Sequence, residues 1–174
     1  MLYNCQPLIL VVDENPASLE ATRLLIKQEF QLESEAAEHG LQAVEMFRAS
    51  FEKRCRCRNR CYKLILMDTR MPEMEGLQAS RQIMRVMSKQ GPTASEEGVN
   101  EDGALAHIVC LTSSEDGRKK CRQAGVRYCV NKPLDPDKLF ELMLRHFYRE
   151  AESEVLRKVG ERRKRRAEEA VWKS

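Results

Sequence analysis

Five short apolar runs, each ending in polar residues and each followed by a stretch of helical periodicity, organise this chain. Residues 8–12 (LILVV) are continuously apolar and too short for a helix, which is the mark of a strand buried on both faces. The run stops at Asp13, Glu14, Asn15 and Pro16. Asn15 is suited to cap a helix with Pro16 in its first position, and Leu19, Leu25, Ile26 and Phe30 recur behind it at helical spacing. A weaker strand is expected over 32–37, followed by a helix over 41–50 with Ala43, Val44 and Phe47 on one face. Residues 64–67 form a third run ending in Asp68, and Gly76 opens a helix carrying Leu77, Ile83, Met84 and Met87. The fourth run, 107–111, ends in Thr112 before a polar helix reaching to Gly125. The fifth, 128–130, ends in Asn131, Lys132 and Pro133, and a helix from Asp135 carries Leu139, Phe140, Leu142, Met143 and Phe147.

Strict alternation of strand and helix specifies a parallel sheet covered by helices on both faces, because right-handed crossovers place them there. The expected class is therefore α/β, a doubly wound five-stranded parallel sheet with a helical C-terminal extension. Two stretches interrupt the scheme. Residues 53–60 (KRCRCRNR) hold five basic residues in eight, and residues 90–103 are rich in Gly, Ser, Glu and Pro without apolar periodicity, so insertions are expected at about 52–61 and 90–104. The domain is expected to span 1–148. Residues 149–174 read as a charged helical tail that continues the last helix in composition, with Val155, Leu156, Val159, Ala167 and Val171 roughly at helical spacing and Gly160 as a candidate break.

At 174 residues, 42% of them apolar and 33% charged, the chain suits one domain with a real core rather than two large ones or a disordered polymer. The net charge of +3 arises in the tail: residues 149–174 carry 9 basic and 6 acidic side chains, while the remainder is balanced. A neutral body argues against nucleic-acid binding. No run approaches the ~18 apolar residues of a membrane span, and residues 1–6 lack the pattern of a secretory signal. Seven scattered cysteines fit a reducing compartment. A cytoplasmic protein is expected, with the basic run 162–166 (RRKRR) offering a nuclear address as the lesser reading.

Asp13, Glu14, Asp68, Thr112 and Lys132 all stand at or just after strand ends, where doubly wound sheets bind their ligands, so they are expected to meet in one cleft. Three carboxylates crowded together repel unless a cation sits among them, and Mg²⁺, a hard ion that keeps several waters, suits oxygen donors. An aspartate beside such an ion is a nucleophile toward a phosphoryl group when a nearby ammonium, here Lys132, neutralises the transferred oxygens. Thr112 would donate a hydroxyl to one of those oxygens.

In their order, LILVVDENP, LILMDTRMPEMEG, CLTSS and VNKPL resemble the motifs of response-regulator receiver domains of two-component phosphorelays, over residues 8 to about 148. The resemblance implies the flavodoxin-like strand order 2-1-3-4-5. It implies phosphorylation of Asp68 by a phosphohistidine on a histidine kinase or histidine phosphotransfer protein, and Mg²⁺ held by Asp13, Glu14, Asp68 and the Arg70 carbonyl. Thr112 and Lys132 complete the site, Lys132-Pro133 is a cis peptide, and a face built by the fourth helix, fifth strand and fifth helix switches a partner protein. It also implies a signalling receiver rather than an enzyme, with at most slow loss of its own phosphoryl group. Two positions depart from the family pattern: Glu14 replaces the usual second aspartate, and Cys129 stands where an aromatic switch residue is usual, Tyr128 falling one position early on the opposite face of the strand.

Blander readings exist for each residue. The acidic pair would suit a helix N-terminus, Asp68 a turn cap and Thr112 a helix N-cap; their joint position at the strand ends favours the phosphoacceptor site. The alternative is a pseudo-receiver, a constitutive protein-interaction module. A phosphohydrolase is disfavoured by Arg70, which stands where an acid for the leaving group would be needed. Cys55, Cys57 and Cys61 lack a fourth zinc ligand nearby, Cys110, Cys121 and Cys129 read as core residues, and His39, His107 and His146 read as structural or surface residues. No DNA-binding domain is expected, and the downstream partner is not encoded legibly.

Overall fold

The computed structural model describes residues 8–50, 62–90 and 106–172, so both insertions and Cys5, Cys55, Cys57 and Cys61 lie essentially outside the described residues. The chain divides into two compact units, Met1–Pro133 and Leu134–Ser174.

The first unit is the sheet and four helices: β1 (Ile9–Val12), α1 (Pro16–Phe30), β2 (Glu35–Ala37), α2 (Gly40–Ser50), β3 (Leu64–Asp68), α3 (Gly76–Gln90), β4 (His107–Thr112), α4 (Glu115–Gln123) and β5 (Tyr128–Asn131). All strands are parallel, in the order β2-β1-β3-β4-β5. Every residue of β1 and β3 is buried, as continuous apolar runs demand of a strand covered on both faces. A core of Leu10, Val12, Phe47, Tyr62, Ile65, Met67, Ile83, Ile108 and their neighbours fixes the sheet against its helices. β2 is shorter than its sequence pattern, only three residues, two of them half-buried at the sheet edge.

Caps set the loops. Asn15 Oδ1 accepts the amides of Ala17 and Ser18 at 3.0 and 3.1 Å, with Pro16 opening α1 as its fixed φ favours. Ser114 caps α4, accepting the Gly117 amide at 3.1 Å. The cap of α4 is therefore Ser114, which leaves Thr112 inside β4 and available to the site.

The second unit contains α5 (Pro136–Leu142), a π turn (Met143–Phe147) and α6 (Glu152–Trp172). Asp135 caps α5 through the amides of Asp137 and Lys138, at 2.9 and 2.8 Å. Leu144, Val155 and Val159 bury together with Phe140 beside them. Arg162 stacks over the Phe140 ring at 4.6 Å, and Asp137 Oδ1 accepts from Arg162 at 2.9 Å and lies 3.3 Å from Arg166. The chain breaks at Arg149, in the left-handed region at φ 61°, before α6 begins. One expectation is corrected here. Gly160 does not break the tail, because α6 runs through it, supported by ion pairs such as Arg157 with Glu154 and Glu161.

Candidate phosphoacceptor site

Register delivers the site. Val12 pairs with Met67 and Asp68 with Leu111, so Asp13 and Asp68 leave neighbouring strands at the same level. Thr112 pairs with Asn131, and the Lys132 amide donates to the Thr112 carbonyl at 2.7 Å, carrying the lysine to that same end. Lys132-Pro133 is cis, as expected.

Lys132 Nζ donates to Asp13 Oδ2 at 2.6 Å and to Asp68 Oδ2 at 2.7 Å. Asp13 and Asp68 are only 2% and 7% exposed. Two buried carboxylates thus share one ammonium, and burying either without that partner would be costly. Burial pulls the Lys132 pKa down, but the hydrogen bonds and charges of Asp13 and Asp68 outweigh it and hold the group above the ordinary lysine value. Lys132 is a cation throughout the physiological range.

Both aspartates accept further hydrogen bonds beside the lysine. Asp13 accepts the Asn15 amide at 3.0 Å and the Ser18 hydroxyl at 2.7 Å. Asp68 Oδ1 accepts the Arg70 amide at 3.2 Å, so the turn-cap reading of Asp68 holds alongside its place in the site. The exposed Arg70 guanidinium donates to Ser113 Oγ at 2.9 Å, tying the loop after β3 to the loop after β4. Thr112 is 2% exposed, and its hydroxyl lies 3.4 and 3.5 Å from the Ser114 amide and carbonyl. Gly76 has to be glycine, since a Cβ there would fall 1.7 Å from the Asp68 carbonyl oxygen.

Of the residues expected at the site, the structure joins Asp13, Asp68 and Lys132 by direct hydrogen bonds and sets Thr112 beside them on the adjacent strand end. Arg70 meets Asp68 through its backbone amide. Glu14 is exposed, on the turn that the Asn15 amide closes onto Asp13. Among the described residues no three His, Cys, Asp or Glu side chains are gathered as a metal-binding group. Two carboxylates converging on a cation nonetheless form a hard-oxygen donor set, which fits an ion that keeps most of its waters and takes one or two protein carboxylates, as Mg²⁺ does. Ser18, Ser113 and Gly117 were not foreseen; Ser18 alone had a signal, lying in the first turn of the helix that Asp13 precedes.

Cys110, Cys121 and Cys129 do pack in the core, the last half-buried. Burial, followed by contact with Cys121, pushes the Cys129 thiol up to about 12; a hydrogen bond with Cys110, then burial, raises Cys121 as well. Tyr128 turns the other way, its ring 5.9 Å from that of His107 at the far end of β4 from Thr112. It lines a cleft of about 190 Å³ with Met84, Met87 and Val126.

A doubly wound parallel sheet with two buried aspartates, a threonine and a bridging lysine at its carboxyl end defines the receiver class, and the chain belongs to the response regulator receiver domain family, whose model matches residues 9–144. Over 140 residues it is 28% identical to the two-component response regulator ARR22 of Arabidopsis thaliana, covering 78% of this chain and 80% of that protein. It is 29% identical over 141 residues to the probable histidine kinase 4 of Oryza sativa subsp. japonica, matching 76% of this chain but only 13% of the kinase. Among solved structures, the receiver domain of sensor histidine kinase PA1611 from Pseudomonas aeruginosa PAO1, described with a magnesium ion in its active-site cleft, has TM-score 0.59 and 25% identity, covering 82% of this chain and 98% of that one. The Ssk1 receiver of Saccharomyces cerevisiae, solved with the phosphotransfer protein Ypd1, shares the fold at TM-score 0.60 and 21% identity, with 81% and 88% of the two chains covered. Among the described residues no helix is long and apolar enough to cross a membrane.

Proposed function

We propose that this receiver takes a phosphoryl group onto Asp68 from a phosphohistidine of a histidine kinase or phosphotransfer protein, and thereby shifts its population of conformers toward one that a partner protein reads. The observation that carries the proposal is Lys132 Nζ held between Asp13 and Asp68. In the transfer an Asp68 carboxylate oxygen attacks phosphorus, the P–O bond forms as the P–N bond breaks, and the imidazole leaves with a proton taken up at nitrogen. Lys132, already beside the attacking carboxylate, neutralises the incoming oxygens without reorganisation, and the Thr112 hydroxyl donates to one of them. Asp13, Asp68, the Arg70 carbonyl and the exposed Glu14 would hold Mg²⁺, which when bound offsets negative charge on the phosphoryl oxygens. The protein acts as a stoichiometric acceptor that slowly loses its phosphoryl group, rather than as a turnover enzyme.

The exposure of Glu14 favours a second reading, a constitutive docking module. Incubating wild type and Asp68→Asn in parallel with a phosphohistidine donor and Mg²⁺, followed by intact-mass analysis, separates the two. Uptake by wild type alone is expected; an unmodified wild type would leave the docking module standing.

A further inference from the structure

Helix α4 opens directly against the Thr112 side chain. A Cβ on Gly117 would lie 2.0 Å from Thr112 Oγ1, 3.0 Å from Thr112 Cβ and 3.2 Å from Ser114 Oγ. The threonine hydroxyl therefore fills the volume that any other residue at 117 would take. Gly117 is buried and its backbone lies outside the left-handed region; among the described glycines only Gly125 adopts positive φ. A glycine inside a helix sacrifices stability relative to alanine, and torsion angles give no reason for one here. Space does. The hydroxyl's hydrogen bonds, at 3.4 and 3.5 Å, are at the outer limit of such contacts, so shape rather than bonding keeps it there.

We infer that Gly117 is a positioning residue: it makes a notch on the first turn of α4 that parks the Thr112 hydroxyl, from which the hydroxyl departs when a phosphoryl group arrives on Asp68. This rests on Asp68 being the acceptor. Parking lowers the fraction of molecules ready to bind a phosphoryl group, and apparent affinity falls by that fraction; if about nine molecules in ten are parked, emptying the notch tightens binding about tenfold.

The test uses the full chain as wild type, Gly117→Ala, Thr112→Ala and the double variant, with two readouts: titration with beryllium trifluoride plus Mg²⁺ as a phosphoryl mimic, and thermal midpoint without ligand. Gly117→Ala is expected to tighten the mimic about tenfold when Thr112 is present and to change nothing when it is Ala. Its effect on the midpoint should be more favourable by several degrees in the Thr112→Ala background, where the 2.0 Å clash with Oγ1 is gone and only the approaches of 3.0 Å to the Cβ of residue 112 and 3.2 Å to Ser114 Oγ remain. Equal effects of Gly117→Ala in both backgrounds overturn the inference while leaving the acceptor reading intact. Absence of mimic binding by the wild type overturns the acceptor reading and this inference with it. Should Gly117→Ala alone fail to fold, recovery in the double variant supports the notch, and failure to recover overturns it.

Discussion

Replacing Lys132 with methionine tests the electrostatics of the site most directly. The aspartate oxygens it bridges each lie within one hydrogen-bond length of the same nitrogen, so they are no more than about 5 Å apart. At an effective dielectric constant of about 20, two unit negative charges at that separation repel by about 3 kcal/mol, near the low end of the ~3–5 kcal/mol typical when one partner of a buried ion pair is removed. With a urea dependence of about 2 kcal/mol per molar, the unfolding midpoint should fall by about 1.5 M. Circular dichroism in urea at pH 7 without divalent ions is the assay. Asp13→Asn supplies the control: it should destabilise the wild type, where it removes a lysine partner, and stabilise Lys132→Met, where it removes a repelling charge. A midpoint shift below about 0.3 M, or an Asp13→Asn effect of the same sign in both backgrounds, would refute the shared-ammonium account.

Because the Lys132 pKa is raised on folding above its ordinary 10.5, its stabilisation is complete below that value and is lost only as pH climbs through the folded pKa. The stability difference between wild type and Lys132→Met should hold constant from pH 7 to 10 and narrow above; narrowing between pH 7 and 9 would contradict this. Cys129, raised from 9.0 to about 12, should react with iodoacetamide at pH 8 about a thousandfold more slowly than in the unfolded chain, read by peptide mass spectrometry, and labelling at the unfolded rate would show the thiol is not buried as described. Gly160→Ala should stabilise the chain by about 0.5–1 kcal/mol in chemical denaturation, since a Cβ at Gly160 meets nothing within 4 Å inside a continuous helix. Loss of stability would restore a break there.

The residues gathered at the candidate site were legible because they stand at or just after the ends of apolar runs, and a parallel sheet gathers the ends of its strands. What the pattern did not contain was which side chains would touch. Lys132 lies 119 positions from Asp13 and 64 from Asp68, and only register places its amine between them. Gly117 reads as an unremarked glycine in a polar helix; its meaning depends on the approach of Thr112 from another element. The break at Arg149 was invisible for a different reason: a non-glycine residue takes the left-handed conformation there, against its intrinsic preference. Gly160 misled in the opposite direction, because one glycine's helix penalty is small beside the ion pairs and buried valines of a 21-residue helix.

The grip of Asp137 on Arg162 and Arg166 changes what the arginine-rich string can offer a passing molecule. Those two guanidiniums, one helical turn apart, share a carboxylate of their own unit, Arg162 largely covered and Arg166 still exposed. Arg163, Lys164, Arg165 and Arg166 are exposed, and at 100° per residue they fan across roughly 300° of the helix circumference. As folded, five consecutive positive letters make no concentrated cationic patch: an acidic visitor approaching from any one direction meets one or two of them. Only uncoiling of that segment would present the whole string at once.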